Sequence, residues 1–525
     1  MATAEQIHAM LEGSSFPHPC ENIKLLETHI SWIILTGEYA YKIKKPVSFG
    51  FLDFSTLEKR EFYCQEEIRL NKRLAPQIYL EVVTLEIEET PSGDSRLVVK
   101  ESASPDEFAV KMRQFEPKDL YSNLLAGGHL GANDFDKVGE QVACFHSHLE
   151  SAPAESEWGS LENILYPIEQ NFVQIGHRLD EGDDLKQLEL LKHWSIEKFE
   201  QLHPIFLQRK QQGFVRECHG DLHLANIAHI EGEPVLFDCL EFNEAFRWID
   251  VINEVAFLVM DLEENNRAPL ANQFLNTYLE HTGDYEGVRL LNFYKVYRAL
   301  VRAKVNILRL DQDGLSQGEQ KIILRNYRNY IRLALSYREN QKQYLAITHG
   351  VSGTGKTTAA RYICAQTKAI HIRSDVERKR ICGLKPKEKT FSGLNDGAYT
   401  KEMTNKTFER LETLTSVLLT EGFAVVVDAT FLHLETREPF MSLARLRNIP
   451  FRIIDCSLDE QTVRDRIQAR MRLQNDASEA SVSVMEKQVN DQDFLSEIEK
   501  QYAILLDMDK PLNKQLSEID RLFFE

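Results

Sequence analysis

The chain has 525 residues, with 62 basic against 81 acidic side chains and a formal net charge of −19. At about 100–200 residues per domain this length predicts several domains, and 43% hydrophobic with 27% charged residues argues for a soluble globular protein and against disorder. The apolar runs are far shorter than the roughly 20 residues of a membrane span, and the first residues lack a secretory-signal pattern, so no membrane partner is expected.

The cysteines and the charge distribution narrow the class further. Eight cysteines are scattered between Cys20 and Cys456 without a Cys-x-x-Cys pair, which is typical of reduced thiols in a cytoplasmic protein and argues against disulfides or zinc. Residues 344–525 carry 26 basic and 27 acidic side chains, whereas residues 1–343 have a net charge of −18. Two modules with different electrostatics are therefore predicted.

The first 340 residues predict a small sheet-rich lobe followed by a larger helical lobe. One charged helix is expected over Leu57–Leu74, and mostly helical patterns run from Leu120 to Arg338 with short strand-like pieces around 214–240. The strand-like runs that surround the first helix are His29–Leu35, Ala40–Ile43, Ile78–Glu86 and Arg96–Val99.

The segment His219-Gly-Asp-Leu-His-Leu-Ala-Asn226 is the clearest chemical signal in this module. A carboxylate at Asp221 can serve a hydroxyl acceptor, and Asn226 together with the later Asp238 can hold Mg²⁺, which is the local chemistry that phosphoryl transfer needs. The competing interpretation is an Asx-turn that leads into an ordinary strand.

Two lysines upstream could reach the phosphates of ATP. Lys42 and Lys44 lie two residues apart on a predicted strand and therefore share one face, and the charged helix offers Glu66 or Glu67 as an ion-pair partner. A lysine on an edge strand is often only a solvated charge. The order of lysine, helical glutamate, Asp-x4-Asn and a later Asp is that of kinases, which favours the phosphate-binding interpretation.

With these residues, positions 1 to about 340 resemble the aminoglycoside phosphotransferase-like branch of the protein-kinase fold. The resemblance implies that Asp221 is the catalytic base, that Asn226 and Asp238 bind Mg²⁺, and that Lys42 paired with Glu67 holds ATP. It further implies that the stretch around Met112 receives adenine through its backbone. Asp250 is expected to brace the catalytic loop. The choices between Lys42 and Lys44 and between Glu67 and Glu66 stay open.

A phosphate-binding loop opens the second module. An apolar run from Tyr344 leads into the motif Gly-x4-Gly-Lys-Thr, which is followed by a helical stretch up to Thr367. Glycines let backbone N–H groups surround phosphates at a helix N-terminus, the lysine reaches the β- and γ-phosphates, and the threonine hydroxyl binds Mg²⁺. The predicted nucleotide-binding residues are Gly350, Ser352, Gly353, Thr354, Gly355, Lys356, Thr357 and Thr358.

Further polar residues follow the next predicted strands, Ala369–Ile372 and Phe423–Val427. Asp375 and Asp428 come at the carboxyl ends of these strands, where open α/β sheets bind ligands. Asp428 is a candidate Mg²⁺ ligand, although a helix-capping aspartate would give the same pattern. Arg470, with Arg466, lies on an arginine-rich helical stretch that predicts either a lid over the phosphates or a solvated face.

Residues 344–510 resemble the P-loop small-molecule and polynucleotide kinases, the group that includes gluconate and adenylate kinases. The resemblance implies that Asp375 orients or deprotonates the substrate hydroxyl and that Arg470 comes from the lid, which the segment Asn475–Ala480 would follow. Residues 372–389 hold seven basic against three acidic side chains. A phosphorylated or polynucleotide substrate could use this patch, but a solvated basic face is the favoured interpretation.

The two modules in this order resemble bacterial fused proteins of an aminoglycoside phosphotransferase-like domain and a P-loop ATP-binding domain. We therefore expect a kinase-like domain at 1–340, with lobes 1–115 and 116–340, and a P-loop domain with a parallel sheet at 341–525. The expected activity is ATP- and Mg²⁺-dependent phosphorylation of small-molecule hydroxyls at two sites. The alternatives are a P-loop domain that only regulates the first site, or one that phosphorylates polynucleotides.

Overall fold

The fold comes from a computed structural model of the chain. It describes residues 2–49, 52–89, 95–180, 182–312, 314–339, 341–388, 400–473 and 477–524. The chain forms two compact units. The first unit comprises Met1–Gly131, His148–Pro167 and Leu202–Leu258, and the second comprises Ala132–Ser147, Ile168–Gln201 and Val259–Glu525.

The helices of the described residues are numbered in chain order. They are α1 (Ala4–Ala9), α2 (Leu57–Asn71), α3 (Tyr121–Ala126), α4 (Ala132–His148), α5 (Leu161–Gly176), α6 (Asp183–Gln211), α7 (Val251–Glu264), α8 (Ala268–Thr282), α9 (Leu291–Leu308), α10 (Gln317–Ser336), α11 (Lys356–Thr367), α12 (Ser374–Ile381), α13 (Lys401–Thr420), α14 (Leu434–Arg447), α15 (Glu460–Leu473), α16 (Val482–Asp491), α17 (Glu497–Lys500), α18 (Leu512–Gln515) and α19 (Ile519–Phe524). None of these helices is long and apolar enough to cross a membrane.

The first unit is built on an antiparallel six-stranded sheet with the order β1-β2-β3-β8-β6-β7. Apolar side chains of its strands pack against α1 on one side, with Ile7 and Met10 in that core, and α2 contributes Cys64 to the cluster on the other side. The strands of this unit are β1 (Lys24–Glu27), β2 (Ser31–Leu35), β3 (Tyr39–Lys44), β4 (Ser48–Phe49), β5 (Leu52–Asp53), β6 (Tyr79–Glu89), β7 (Ser95–Val99), β8 (Glu107–Arg113), β9 (Val215–Glu217), β10 (Ile227–Ile230), β11 (Glu233–Leu236) and β12 (Trp248–Asp250).

The predicted fold class is confirmed for this part of the chain, with shifted element ends. Helix α2 begins at the predicted Leu57 because Thr56 accepts a hydrogen bond from the Lys59 N–H as an N-cap, but it ends at Asn71 and not at Leu74. Strand β8 covers most of the stretch that the sequence assigned to an adenine-binding hinge. The apolar residues of β8 form a short run without alternation. Periodicity therefore indicates only that the segment is buried, and not that it pairs as a central strand of a sheet.

One hairpin and a second short strand pair frame the segment His219–Asn226 of the first unit. Strands β10 and β11 pair through Ile227–Ile230 and Glu233–Leu236, and β9 pairs with β12. The motif His219–Asn226 therefore lies between the end of β9 and the start of β10. Asp238 follows β11 directly, so the hairpin returns the chain to the same place and brings the two predicted metal ligands together.

The second unit contains a parallel five-stranded sheet with the order β14-β15-β13-β16-β17. Its three strands nearest the phosphate loop are buried along their whole length, as expected for a parallel sheet with helices on both faces. The parallel sheet predicted for a P-loop domain is thereby confirmed. The strands are β13 (Leu345–His349), β14 (Ile370–Arg373), β15 (Val425–Asp428), β16 (Phe451–Ser457) and β17 (Ala503–Asp507).

Helix α8 covers the edge strand β14. Asn276 uses its whole side-chain amide, because its Nδ2 donates to the Ala369 carbonyl (3.0 Å) and its Oδ1 accepts from the His371 N–H (2.8 Å). Asn272, one turn earlier, also donates to Ala369 O (3.0 Å). Glu280, one turn later, binds the Arg373 guanidinium at 2.6 Å. One face of α8 thus satisfies backbone groups that an edge strand would otherwise expose.

Glu280 makes the stability of the second unit depend on pH. Burial would raise the pKa of its carboxyl, but Arg373 and Arg361 outweigh burial and lower the pKa to about 2. A carboxyl with a lowered pKa stabilises the fold above its ordinary value of about 4.5, and that contribution is lost as the pH falls towards 2. We expect wild type to exceed Glu280→Gln by about 3 kcal/mol in free energy of unfolding at pH 7, and the difference to shrink by pH 3.

Urea unfolding of both proteins, followed by circular dichroism between pH 7 and pH 3, measures this difference. Glu402→Gln is the matched control, because Glu402 forms an exposed pair with Lys406 one helical turn away and should change stability by well under about 1 kcal/mol. A difference between wild type and Glu280→Gln that stays constant across this pH range would contradict the expectation.

Candidate functional site

Two lysines of strand β3 bind the same carboxylate, that of Glu67. Because side chains alternate along a strand, Lys42 and Lys44 share a face, and both reach Glu67 of α2. Lys42 Nζ lies 2.7 Å from Glu67 Oε1 and 2.8 Å from Asp238 Oδ1. Lys44 Nζ lies 2.7 Å from Glu67 Oε2 and also binds Glu241. Glu241 was not among the predicted site residues, although it follows Asp238 by only three residues.

The two lysines differ in their surroundings. Lys44 is fully buried, whereas Lys42 borders Asp238, whose side chain is 42% exposed. Glu67 is fully buried between the lysines, and although burial would raise the pKa of Glu67, they lower it to about 2. Glu66 points to Arg69, which donates to it at 2.8 Å. The structure thus brings Glu67, and not Glu66, to both lysines, and leaves Lys42 as the lysine beside an exposed carboxylate.

This difference predicts separate effects for the two lysines. Lys44→Met should lower the free energy of unfolding by about 3–5 kcal/mol, because Glu67 and Glu241 would remain charged in a buried place. Lys42→Met should cost less stability, since Glu67 keeps Lys44 and Asp238 can be hydrated, but it should weaken ATP binding. Urea unfolding and ATP titration of both variants measure these effects. A Lys42→Met protein that is less stable than Lys44→Met would contradict the prediction.

Neighbouring side chains in the segment between β9 and β10 fix the orientation of Asp221. Asn226 Nδ2 donates to both the backbone carbonyl (2.9 Å) and the Oδ2 (3.1 Å) of Asp221. His223 accepts the Ala225 N–H through Nδ1, and its Nε2 lies 3.4 Å from Asp221 Oδ2. The Asp221 side chain is 38% exposed, so a substrate hydroxyl could approach a carboxylate whose orientation is already fixed.

Buried groups brace the same segment from behind. His219 Nε2 donates to the Phe237 carbonyl at 2.8 Å, and its Nδ1 accepts the Asp221 N–H at 3.3 Å. The Gly220 N–H donates to Glu254 Oε2 at 2.7 Å. The expected bracing residue was Asp250, which instead binds Arg209 at 2.7 and 2.9 Å. Glu254 lies one helical turn further, a displacement that the sequence alone did not reveal.

Asp238 and Asn226 offer oxygen ligands at one place. Asp238 has a positive φ of +62°, and its N–H donates to the Tyr79 hydroxyl at 3.2 Å, so its backbone is held in a conformation that few residues other than glycine adopt. Burial would lower the pKa of the Lys42 ammonium beside it, but Asp238 and Glu67 outweigh burial and raise that pKa. Carboxylate and amide oxygens are hard ligands, and this donor set fits Mg²⁺.

Met112 lies inside the sheet of the first unit. It pairs with Ala40 of β3 on one side and with Tyr79 of β6 on the other. Its side chain is buried in the apolar cluster that also contains Val110 and Val235. The backbone leaves the sheet only after Arg113, which is where a hinge for adenine would begin.

The phosphate loop of the second unit runs from the end of β13 to the first residue of α11. Gly350 follows His349, the last residue of β13, and its N–H donates to the Thr430 carbonyl at 3.2 Å. Gly353 has a φ of +92°, and a Cβ there would lie 2.8 Å from the Ile467 Cγ1 atom. Gly355, the N-cap of α11, has a φ of +95°. The loop therefore needs glycine at these two positions for both backbone conformation and space.

Lys356, Thr357 and Asp428 meet at this loop, as the sequence predicts. Lys356 Nζ donates to the Val351 carbonyl at 2.7 Å, and the Thr357 hydroxyl donates to Asp428 Oδ2 at 2.6 Å. Burial lowers the pKa of Lys356, and Asp428 opposes that effect. A threonine hydroxyl beside a carboxylate is a donor set that fits Mg²⁺ at a P loop.

Two basic side chains of β14 flank Asp428. His371 Nε2 lies 3.4 Å and Arg373 Nε 3.9 Å from Asp428 Oδ2. Burial would raise the pKa of Asp428, but His371, Arg373 and Thr357 hold it well below its usual range. Neither His371 nor Arg373 was among the predicted site residues, because a buried strand of alternating apolar and basic residues gives no catalytic signal on its own.

The remaining predicted residues of the second unit lie in the loop itself or on helices α11, α12 and α15. Asp375 begins the first turn of α12, and both Asp375 and Arg470 act on the pKa of Lys356, Asp375 raising it and Arg470 lowering it. Arg470 donates to the Ala480 carbonyl at 2.9 Å. Ser352 and Thr354 are buried in the loop, and Thr358 is exposed on α11.

The basic segment 372–389 is largely engaged in contacts within the second unit. Lys389 lies outside the described residues, as do Asn475 and Asp476 of the predicted segment after the lid. The basic side chains with a described partner are Arg373 with Glu280 (2.6 Å), Arg378 with Thr404 (3.2 Å), Lys379 with Glu479 (3.1 Å), Arg380 with Glu377, and Lys387 with Glu140 (2.6 Å). These charges are therefore largely compensated within the protein.

Comparison with known families assigns both halves of the chain. Residues 64–291 match the family described as phosphotransferase enzyme family, and residues 345–495 match an AAA domain. "Uncharacterized protein Rv2004c" of Mycobacterium tuberculosis strain H37Rv is 31% identical over 475 residues, which cover 89% of this chain and 91% of the relative. "Uncharacterized protein Mb2027c" of Mycobacterium bovis matches to the same extent.

Solved kinase structures resemble separate parts of the chain. A choline kinase from Cryptosporidium parvum Iowa II aligns with a TM-score of 0.37 and 11% identity, covering 63% of this chain and 94% of the other. The amicoumacin kinase hAmiN aligns with a TM-score of 0.35 and 13% identity over the same shares. A gluconokinase from Sinorhizobium meliloti 1021 aligns with a TM-score of 0.26 and 16% identity, covering 35% of this chain and 94% of the other.

The family matches and the alignment that covers 89% of this chain agree with the resemblance drawn from the motifs. The chain is a small-molecule kinase, a phosphotransferase with a hydroxyl acceptor. It belongs to the family of these mycobacterial proteins, and in this chain a phosphotransferase domain precedes a P-loop domain.

Proposed function

We propose that the chain is a bifunctional phosphotransferase that uses ATP and Mg²⁺ at two separate sites and phosphorylates hydroxyl groups of small molecules in the cytoplasm. The observation that carries the proposal is the repeated combination of a lysine and a carboxylate oxygen donor, Lys42 with Asp238 (2.8 Å) and Lys356 beside Thr357–Asp428 (2.6 Å). We further propose that the domains are 1–340, with lobes 1–115 and 116–340, and 341–525.

At the first site, Lys42 would hold the ATP phosphates and Asn226 and Asp238 would bind Mg²⁺, which neutralises charge on the transferring phosphoryl group. Asp221 would accept the proton of the acceptor hydroxyl as that oxygen bonds to the γ-phosphorus and ADP leaves. The net charge of −18 over residues 1–343 favours a cationic or neutral acceptor over an anionic one.

At the second site, the loop from Gly350 to Thr358 would hold the ATP phosphates, with Mg²⁺ at Thr357 and Asp428. Asp375 would orient or deprotonate the acceptor hydroxyl, and Arg470 would stabilise the transferring phosphoryl group. Asp375 raises and Arg470 lowers the pKa of Lys356, and this electrostatic interaction supports these roles.

The test is transfer of radiolabelled phosphate from [γ-³²P]ATP to a metabolite extract, analysed by mass spectrometry. Wild type, Asp221→Ala, Lys356→Ala and the double variant are compared. Two phosphorylated products, each lost in one single variant and both lost in the double variant, are expected. Absence of any product with wild type, or products that survive both substitutions, would refute the proposal.

A regulatory P-loop domain is the second candidate, and the packing of α15 against the loop favours it. Val463 and Ile467 of α15 lie at the loop, with Ile467 Cγ1 only 2.8 Å from the place of a Cβ at Gly353, so a nucleotide that shifts the loop would also shift α15. Asp375→Ala separates the candidates. Loss of a phosphorylated product supports catalysis, whereas ATP-dependent control of the first site without any second product supports regulation.

A polynucleotide acceptor for the P-loop domain is a third candidate from the sequence. The ion pairs of Arg373, Lys379 and Lys387 weaken it, because compensated charges release few counterions from a nucleic acid. Oligonucleotide binding that weakens steeply with salt would favour this candidate. Binding that is absent or insensitive to salt would argue against it.

A further inference from the structure

Helices α15 and α16 lie directly on the phosphate loop of the second unit. Val463 and Ile467 of α15 and Met485 of α16 form a buried apolar cluster, against which Val351 of the loop packs. The contact with Gly353 leaves no room for a Cβ. The two helices are therefore fixed to the loop by apolar packing, and polar side chains on them are held at defined places along it.

Gln488 of α16 is one of these polar side chains. It lies three residues after Met485, on the same face of the helix, and its Oε1 accepts the Ser352 N–H at 2.8 Å. The carbonyl of the same peptide unit, at Val351, accepts the Lys356 ammonium at 2.7 Å. Gln488 and Lys356 thus bind the two ends of one peptide group.

This position identifies the part of the nucleotide that Gln488 would meet. In a P loop the helix N-terminus holds the α- and β-phosphates, and the lysine reaches the β- and γ-phosphates. The Lys356 ammonium lies at the Val351–Ser352 peptide, so that peptide is at the terminal-phosphate end of the loop. Gln488 therefore lies at the end of the loop that meets the β- and γ-phosphates, and ADP lacks the γ-phosphate.

We propose that Gln488 is a specificity-determining residue that distinguishes a nucleoside triphosphate from a diphosphate at the second site. This inference rests on the proposed binding of ATP to the P loop. A carboxamide suits the task because it both accepts and donates hydrogen bonds. Its Oε1 satisfies the Ser352 N–H in the structure described, and its Nε2 can donate to a terminal phosphate oxygen when ATP is bound.

A purely structural role for Gln488 would have a different signature. If the side chain only fastened α16 to the loop, its loss would change the affinities for ATP and ADP by the same factor. If it meets the terminal phosphate, a negative charge at this position would oppose ATP and spare ADP. The ratio of the two affinities, and not either affinity alone, therefore separates the two roles.

The experiment measures AMP-PNP and ADP binding with Mg²⁺ by isothermal titration calorimetry. All proteins are full-length and carry Lys42→Met to remove binding at the first site, and Lys356→Ala identifies the binding that belongs to the second. We expect Gln488→Glu to reduce the preference for AMP-PNP over ADP by about tenfold or more, and Gln488→Ala to reduce it by about threefold to tenfold. Gln492→Glu, at the C-cap of α16, should leave the ratio within about twofold of the parent protein.

Three results would overturn the inference, and they are distinguishable. An unchanged ratio in both Gln488 variants, with the parent protein still binding both nucleotides, would refute the role of Gln488 alone. A Gln492→Glu protein that loses the preference as strongly would show that any charge on α16 has this effect. A parent protein that binds neither nucleotide would refute the proposed ATP site and the inference with it. Thermal unfolding of each variant confirms that it is folded.

Discussion

Asp221→Asn is expected to lower kcat for the first phosphorylated product by about 10²- to 10⁴-fold, while the KM for ATP changes by less than about threefold. The carboxylate accepts a proton only as the new phosphate ester forms, so its removal acts on the transition state and hardly on ATP binding. The amide has nearly the same shape and can keep a hydrogen bond to Asn226, which donates to Asp221 at 2.9 and 3.1 Å. The fold of the segment should therefore survive the change.

Initial rates with the acceptor found in the extract assay measure this effect. Glu244→Gln is the matched control, because it removes a carboxylate 58% exposed that pairs with Arg247 across one helical turn. Arg247 itself is buried, but it keeps Glu66 and Glu217 as partners when Glu244 is neutralised. We therefore expect kcat to stay within about twofold of wild type. A loss of kcat in Asp221→Asn that matches a rise in the KM for ATP would contradict the role of a base. So would an unchanged kcat.

The sequence predicted the fold of the first unit better than the identity of its charged partners. Alternation along β3 made Lys42 and Lys44 equivalent, since a period of two places both on one face, and only tertiary packing separates a lysine beside the exposed Asp238 from one that is fully buried. Glu66 and Glu67 differ by about 100° around α2, which decides which of them faces the lysines. That rotation depends on how the helix packs, and adjacent glutamates carry no sequence signal for it.

The residues that brace the two sites were the hardest to predict. Glu254 and Glu280 act through contacts with segments 34 and 93 residues distant in the chain, and local spacing does not report such contacts. The P loop could be predicted because its chemistry is confined to eight consecutive positions, between a buried strand and a helix. The roles assigned to Asp375 and Arg470 stay predictions, since a carboxylate near a strand end and an arginine on a helix occur in many proteins.

Lys356→Ala is expected to weaken ATP binding at the second site by about 10²- to 10³-fold, with first-site binding unchanged. The lysine is buried at the loop, and its ammonium donates to the Val351 carbonyl at 2.7 Å. Burial lowers the pKa of Lys356, and the Asp428 carboxylate opposes that effect. A cation held in a buried, preorganised position interacts with phosphate oxygens more strongly than one in water. Its removal should therefore abolish second-site binding at micromolar ATP.

The stoichiometry of ATP binding makes this prediction specific. Calorimetry in the presence of Mg²⁺ should give about two ATP per chain for wild type, one for Lys356→Ala, one for Lys42→Met and none for the double variant. Lys510→Ala, which removes an exposed lysine of the same unit that pairs with Asp507, should keep the wild-type stoichiometry. A single ATP per chain in wild type that Lys356→Ala does not remove would show that the loop binds no ATP. Two independent losses would establish that each lysine serves its own nucleotide, because a shared site would lose all binding in either single variant.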